Sequence, residues 1–400
     1  MNLLLKNHYR FVQLCMKVAM PFLRIPKPIV LSSCLELAGQ LKKEKKSRPL
    51  LVTDQGLAKL RVPEKVLSVL RDAGLNPICF DGAVPNPTFD CIEDGLKAYQ
   101  KERCDCLIAL GGGSAMDCAK GIGIRSVYPK KSLSSFKGVL HVHRRIPLFF
   151  AIPTTAGTGS EATLAAVVVN SATHDKFQID DPKLVPSFAV LDPQFVMSLP
   201  SKLIASTGMD ALTHAIESYI GRSSTRFTND MALSAIRRID HSLLLFYENP
   251  KNEAAARDMQ QAAFEAGMAF TRAYVGYVHA LAHALGGYYG IPHGYANAVL
   301  LPLVLKHYGS SVYAALASIY DALGRKGASS AKEKAEEVIR WIEEMNQKMG
   351  IPAHFGGVVA KGDYDILAAH AAKEGNPLYP VPELWDAKKL EEVLREADGQ

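Results

Sequence analysis

Four hundred residues allow two or three domains, each large enough to bury a core of its own. Hydrophobic residues make up 48% and charged ones 22%, an ordinary composition for a soluble globular chain. Of the +6 net charge, five units come from Lys6, Arg10, Lys17, Arg24 and Lys27, so the rest is near neutral and offers no basic surface for nucleic acid.

All seven cysteines lie in the first 118 residues. Their odd number and irregular spacing disfavour a disulfide framework and point to a reducing compartment, here the cytoplasm. Cys104 and Cys106 form a C-x-C at the entry to an apolar strand, where thiols acting as small buried hydrophobes outweigh a metal clip. No apolar run reaches transmembrane length, so stable membrane insertion is not expected.

In chain order, residues 1–26 form a basic extension. Phe11, Leu14, Cys15, Val18, Phe22 and Leu23 recur in it at helical spacing, with no acid present. Such a pattern also suits a transit peptide or a membrane-surface helix. Serine is missing from the first thirty residues and no small-residue cleavage site follows. The preferred reading is a helix packed on the protein itself or on a neighbouring subunit.

Residues 27–195 alternate short apolar runs with helical ones. Strands are predicted at Pro49–Thr53, Pro77–Asp81, Asp105–Leu110, Leu148–Pro153, Leu164–Asn170 and Phe188–Asp192, and helices at 63–73, 88–102 and 114–125. That alternation predicts an α/β domain with a mainly parallel sheet. After Asp192-Pro193 strand patterns nearly vanish. Helix-period segments at 200–221, 228–247, 252–286, 297–320 and 330–349 predict an all-helical domain over 196–400.

Two loops of the first domain suit an anionic ligand. In DCLIALGGGSAMDCAKGIGI (105–124), Gly111, Gly112 and Gly113 let backbone N–H groups approach closely. Ser114 and Asp117 read as a capping box at a helix start that could receive a pyrophosphate. G-x-G-x-x-G is not met, because Met116 holds the last glycine position, and a ligand-free tight turn explains this loop equally well alone. AIPTTAGTGSEAT (151–163) then adds Thr154, Thr155 and Thr158 in a stretch too polar for core, at the sheet edge where α/β domains bind ligands.

The second domain carries a different chemistry. Asp210 and His214 stand at i,i+4, on one helix face, and His279 and His283 repeat the spacing in VHALAHALGGYYGIPHG (278–294). His293 follows after helix breaks and can return to the same point. Imidazole and carboxylate are the usual ligands of zinc or ferrous iron. A lone histidine would more often be a surface or capping residue. Two spaced pairs and a third histidine reverse that preference.

Together, GGGSAMDCAK, PTTAGTGSEAT, STGMDALTHAIESY and GYVHALAHALGGYYGIPHG resemble the iron-containing (group III) alcohol dehydrogenase family, from about residue 27 onward. The resemblance implies an N-terminal dinucleotide-binding α/β domain, a helical C-terminal domain and an active site in the cleft between them. It makes Asp210, His214, His279 and His293 the metal ligands, and His283 a residue near substrate and nicotinamide that passes a proton to solvent. Gly111–Ser114 with Asp117, together with Thr154, Thr155 and Thr158, become the cofactor loops. Asp54, at the end of LLVTD, would sit by the adenosine ribose and favour NAD over NADP.

The implied activity is hydride transfer between NAD(H) and a primary alcohol or aldehyde, with Fe2+ favoured and Zn2+ competent, in a homo-oligomer of two or more chains. Two departures from the family pattern are LSSCLEL (31–37), where a glycine-rich turn is common, and AAKEGNP (371–377), which lacks a cysteine and puts the substrate in question. Glycerol dehydrogenase-like or dehydroquinate synthase-like chemistry is the nearest alternative. An inactive scaffold would be expected to have lost a ligand or a glycine, and none is lost.

Overall fold

The computed structural model describes Met1–Gln400 apart from His174 and the side chain of Pro21. The chain forms two compact units, one of Arg24–Ser198 and one of Met1–Leu23 with Leu199–Gln400. Helix α1 (Leu3–Ala19) therefore belongs with the C-terminal half.

Its manner of attachment differs from the simple amphipathic expectation. The polar face meets the protein: Arg10 donates to the Val381 and Pro382 carbonyls, Gln13 to those of Pro377 and Tyr379, and Lys17 to that of Arg222. Leu4, Phe11, Leu14 and Val18 are left exposed. Sequence periodicity reports that a helix has two faces. It does not say which one finds partners.

In the α/β unit the order is β1 (Ile29–Leu31), α2 (Cys34–Lys43), β2 (Pro49–Asp54), α3 (Gln55–Lys59), α4 (Val62–Asp72), β3 (Ile78–Ala83), α5 (Phe89–Lys101), β4 (Cys106–Gly111) and α6 (Gly113–Val127). There follow β5 (Gly138–Val139), β6 (Phe149–Pro153), β7 (Ala165–Val169), β8 (Lys176–Asp180) and β9 (Phe188–Val190). Six strands pair in the order β1-β9-β6-β4-β2-β3, every pairing parallel. Their central members are apolar without alternation because both faces are covered. Leu51, Ile108 and Phe150 share one core with Leu37, Leu41, Val66 and Leu70, while Leu50, Leu107 and Phe149 share another with Ile92, Met116 and Ile122.

Strand 164–170 is present as β7, but not in this sheet. It pairs antiparallel with β8 in a separate three-stranded sheet, β5-β8-β7. KFQID alternates exposed and buried residues, the mark of a strand with one solvated face.

The helical unit runs α7 (Ser201–Ile220), α8 (Arg226–Glu248), α9 (Glu253–Ala273), α10 (Tyr277–Tyr289), α11 (His293–Tyr308), α12 (Tyr313–Ala322), α13 (Ala331–Lys348), α14 (Tyr364–Gly375) and α15 (Ala387–Asp398). Two long predicted helices are broken. Residues 252–286 divide where Tyr274 adopts φ 66°, and 297–320 divide at Gly309, φ 52°. Among the described residues no single helix is long and apolar enough to cross a membrane.

Candidate functional site

Three helices of the C-terminal unit build the metal candidate. Helix α7 places Asp210 and His214 one turn apart, α10 contributes His279 and α11 begins with His293. Close approach of α11 to α7 requires Gly294, where an added Cβ would lie 2.3 Å from the Ser206 carbonyl oxygen. One ligand atom from each of Asp210, His214, His279 and His293 falls within 4.8 Å of the others. The Asp210 Oδ1–His293 Nε2 separation is 3.4 Å, and a tetrahedron with bonds of about 2.1 Å has edges of roughly that length. The donor set fits a borderline divalent cation.

Burial adjusts the protonation of this group in the right sense. His279 is held well below the ordinary histidine range by burial and then by the neighbouring histidines, which keeps the imidazole neutral and able to bind a cation. His283 lies outside the four-atom cluster. Its ring stacks on that of His293 with centroids 5.0 Å apart, and its Nδ1 is 2.7 Å from Glu374 Oε1. Glu374 also accepts the Tyr379 hydroxyl at 2.7 Å.

Two residues of this centre escaped the sequence reading. Glu217 lies 2.6 Å from His279 Nδ1, and burial pushes its carboxyl up to about 7. Asn297 places its amide nitrogen 2.7 Å from Asp210 Oδ1, 3.1 Å from His293 Nε2 and 3.3 Å from His279 Nε2. Asn297 at i+4 from His293 was a usable signal. Glu217 offered none, since its partners lie 59 to 62 residues away in sequence.

The α/β unit assembles its loops at the carboxyl ends of adjacent strands. Gly111 of β4 pairs with Pro153 of β6, and Thr154 N–H donates to the Gly111 carbonyl. Chain direction across the sheet reverses between β2 and β4, the kind of switch point that opens a ligand crevice. Gly111 has φ +155°, and a Cβ there would meet that of Ala115 at 2.6 Å. Helix α6 starts at Gly113 with Gly112 as N-cap and no side chain capping it, so its first N–H groups suit an anion. Thr155 Oγ1 is buried without a hydrogen-bond partner, 3.7 Å from the Cβ position of Gly112. An orphaned hydroxyl beside an uncapped helix start fits a phosphate-bearing ligand. Thr158 Oγ1 accepts the Ser160 N–H within the same loop.

The Ser114–Asp117 capping box does not form. Gly111 turns the chain early, so Ser114 is already inside the helix. Asp117 instead accepts the Val167 N–H and faces Lys120, its carboxyl pushed up to about 6 by burial. Lys120, fully buried, donates toward the Ser160, Thr163 and Ala165 carbonyls and the Thr163 hydroxyl, tying α6 to the threonine loop. Asp54 accepts the Leu57 N–H at 2.9 Å as the N-cap of α3, and its second oxygen lies 3.9 Å from the Cβ position of Gly111. Cys104 and Cys106 are buried free thiols, raised by burial.

A doubly covered parallel sheet with glycine and threonine loops at its strand ends, and a helical unit with three convergent imidazoles and a carboxylate, describe an α/β protein with a candidate metal centre. Comparison with known proteins narrows it. The family profile described as "Iron-containing alcohol dehydrogenase" matches residues 26–193, and "Fe-containing alcohol dehydrogenase family, C-terminal" matches 204–397. A 1,3-propanediol dehydrogenase of Citrobacter freundii is 39% identical over 354 residues, covering 88% of this chain and 91% of that protein. An NAD-dependent methanol dehydrogenase of Bacillus methanolicus is 34% identical, covering 85% and 89%. A solved structure of 1,3-propanediol oxidoreductase superimposes with a TM-score of 0.90 at 36% identity, covering 94% of this chain and 99% of that one. The chain belongs to the iron-containing alcohol dehydrogenase family, and it is an oxidoreductase of alcohols and aldehydes.

Proposed function

We propose that this protein interconverts a short primary alcohol and its aldehyde with NAD(H), using ferrous iron, or zinc in its place, at Asp210, His214, His279 and His293. The convergence of those four donors within 4.8 Å carries the reading. When bound, the cation supplies Lewis acidity toward the alcohol oxygen and the nicotinamide exchanges hydride.

The chain's residues do the rest. Asp210 brings the one negative charge among the ligands, leaving a net positive centre that favours a negatively polarised oxygen. His283 would hand the alcohol proton to solvent and return it, a role its half-exposed ring and its Nδ1 contact with Glu374 support. The N–H groups of Gly112, Gly113 and Ser114, with the hydroxyls of Thr154, Thr155 and Thr158, would hold the pyrophosphate, and Asp54 the adenosine ribose. Asp117 serves the loop from behind, through Lys120. Seven free cysteines support a cytoplasmic setting. The outward apolar row of α1 supports a homo-oligomer.

The test is metal analysis of the purified protein, joined to an NADH-oxidation screen with short aldehydes. The expected result is about one iron or zinc per chain and saturable aldehyde-dependent NADH oxidation. Stoichiometric metal without turnover of any aldehyde or alcohol would overturn the substrate class. No bound or bindable divalent metal would overturn the centre.

A further inference from the structure

Helix α7 carries a third functional side chain on the face that holds Asp210 and His214. Glu217 is buried, and its carboxylate meets two backbone N–H donors and one imidazole nitrogen at the start of α10. Oε1 accepts the Val278 N–H at 2.8 Å, while Oε2 accepts the Gly276 N–H at 2.8 Å and lies 2.6 Å from His279 Nδ1. The first N–H groups of a helix have no partner within it, and α10 has no side-chain cap of its own. Glu217 supplies that cap from another helix. The approach depends on glycine, since a Cβ at position 276 would come within 2.6 Å of Oε1.

The same carboxylate decides how His279 presents itself. With two amide N–H groups already donating to it, the carboxylate acts as acceptor, and the neutral imidazole carries its proton on Nδ1. Nε2 then offers its lone pair. Nε2 is the nitrogen on the ligand side, 3.9 Å from Asp210 Oδ1. We propose that Glu217 is the positioning residue that sets the metal affinity of this centre, by fixing the tautomer and ring orientation of His279. This rests on the reading of Asp210, His214, His279 and His293 as a metal site. A residue that only capped α10 would support the fold and leave metal affinity alone.

The experiment compares the full-length wild type and Glu217→Gln, both stripped with chelator. Zinc affinity is measured by competition with a chromophoric chelator, and the melting temperature of the metal-free protein is measured in parallel. Glutamine keeps the shape but offers one acceptor oxygen and an NH2 group where two oxygens accept. The dissociation constant for zinc is expected to rise about 10–100-fold, as when other outer partners of ligating histidines are lost. The visible spectrum of the cobalt-loaded variant should change with it.

A lower melting temperature with zinc affinity within twofold of wild type would mean a cap and nothing more, and would overturn the proposal. Failure of the wild type itself to bind zinc, iron or cobalt would overturn the metal reading and this one with it. Should Glu217→Gln fail to fold, long-range 1H–15N spectra of the metal-free wild type decide. A proton on His279 Nδ1 is expected, and one on Nε2 would overturn the proposal.

Discussion

His283 on α10 and Glu374 on α14 are joined by a single hydrogen bond, Nδ1 to Oε1 at 2.7 Å, across 91 residues of sequence. Glu374 falls within AAKEGNP, the stretch that lacks the cysteine of the family pattern, and on the proposed reading it steadies the histidine that handles the alcohol proton. Neither residue belongs to the four-donor cluster. Their loss should therefore separate catalysis from metal retention. His283→Ala is expected to lower kcat by about 10²-fold, the lower end of a general acid–base contribution, and Glu374→Ala by less. Both should keep wild-type metal content by elemental analysis. Loss of the metal from either variant would place His283 in the ligand set instead.

The ligand variants should behave in the opposite way. His279→Ala and His293→Ala are expected to abolish turnover and bound metal while the far-ultraviolet circular dichroism stays close to wild type. A catalytic cation at an open site is not a folding nucleus here, since α7, α8 and α9 have apolar cores of their own. Chelator should inactivate the wild type slowly, with rescue by ferrous iron or zinc. Wild-type turnover by either variant in metal-depleted buffer would exclude the centre.

The four-donor cluster was legible in part because helical spacing is local: Asp210 and His214 announce one face of one helix, whereas the same spacing in His279/His283 also put forward a histidine that lies outside the cluster. Glu217 was not, since its partners lie 59 to 62 residues away and a buried glutamate near a helix end reads as a solvated one. The break between α9 and α10 also went unread. Tyr274 holds φ 66° without being glycine, and nothing in its side chain signals it. The strands of the main sheet showed as apolar runs, yet β1, three residues long, falls below any periodic signal. Ser114–Asp117 satisfied the capping pattern, but Gly111 set the helix start earlier.

Removal of residues 1–25 should leave the chemistry intact, because no ligand or loop residue precedes Asp54. Helix α1 does hold the 377–382 segment through Arg10 and Gln13, and that segment includes Tyr379, the partner of Glu374. The expected outcome is kcat/KM within about threefold of the full chain, with a melting temperature lower by several degrees, on the order of 2–4 °C per kcal/mol lost. A large loss of activity in well-folded protein would assign α1 a part in shaping the site.

On the proposed reading, cofactor choice turns on Asp54. Its Oδ1 is committed to the Leu57 N–H as the cap of α3, while Oδ2 lies toward the glycine loop, 3.9 Å from the Cβ position of Gly111. One carboxylate thus caps a helix and is available to a ribose diol at the carboxyl end of β2, where acidic residues of other dinucleotide folds bind theirs. A 2′-phosphate there would face like charge at about 4 Å, which costs on the order of 4 kcal/mol at an effective dielectric near 20, and less with salt and water. NAD(H) should therefore be preferred over NADP(H). Asp54→Asn makes the cleaner test than Asp54→Gly, because asparagine caps a helix about as well as aspartate and so removes the charge while sparing α3. The substitution should tighten NADPH binding, read by fluorescence titration, by about tenfold or more while NADH affinity changes little. Equal use of both cofactors by the wild type, or unchanged NADPH affinity in Asp54→Asn, would reduce Asp54 to a helix cap.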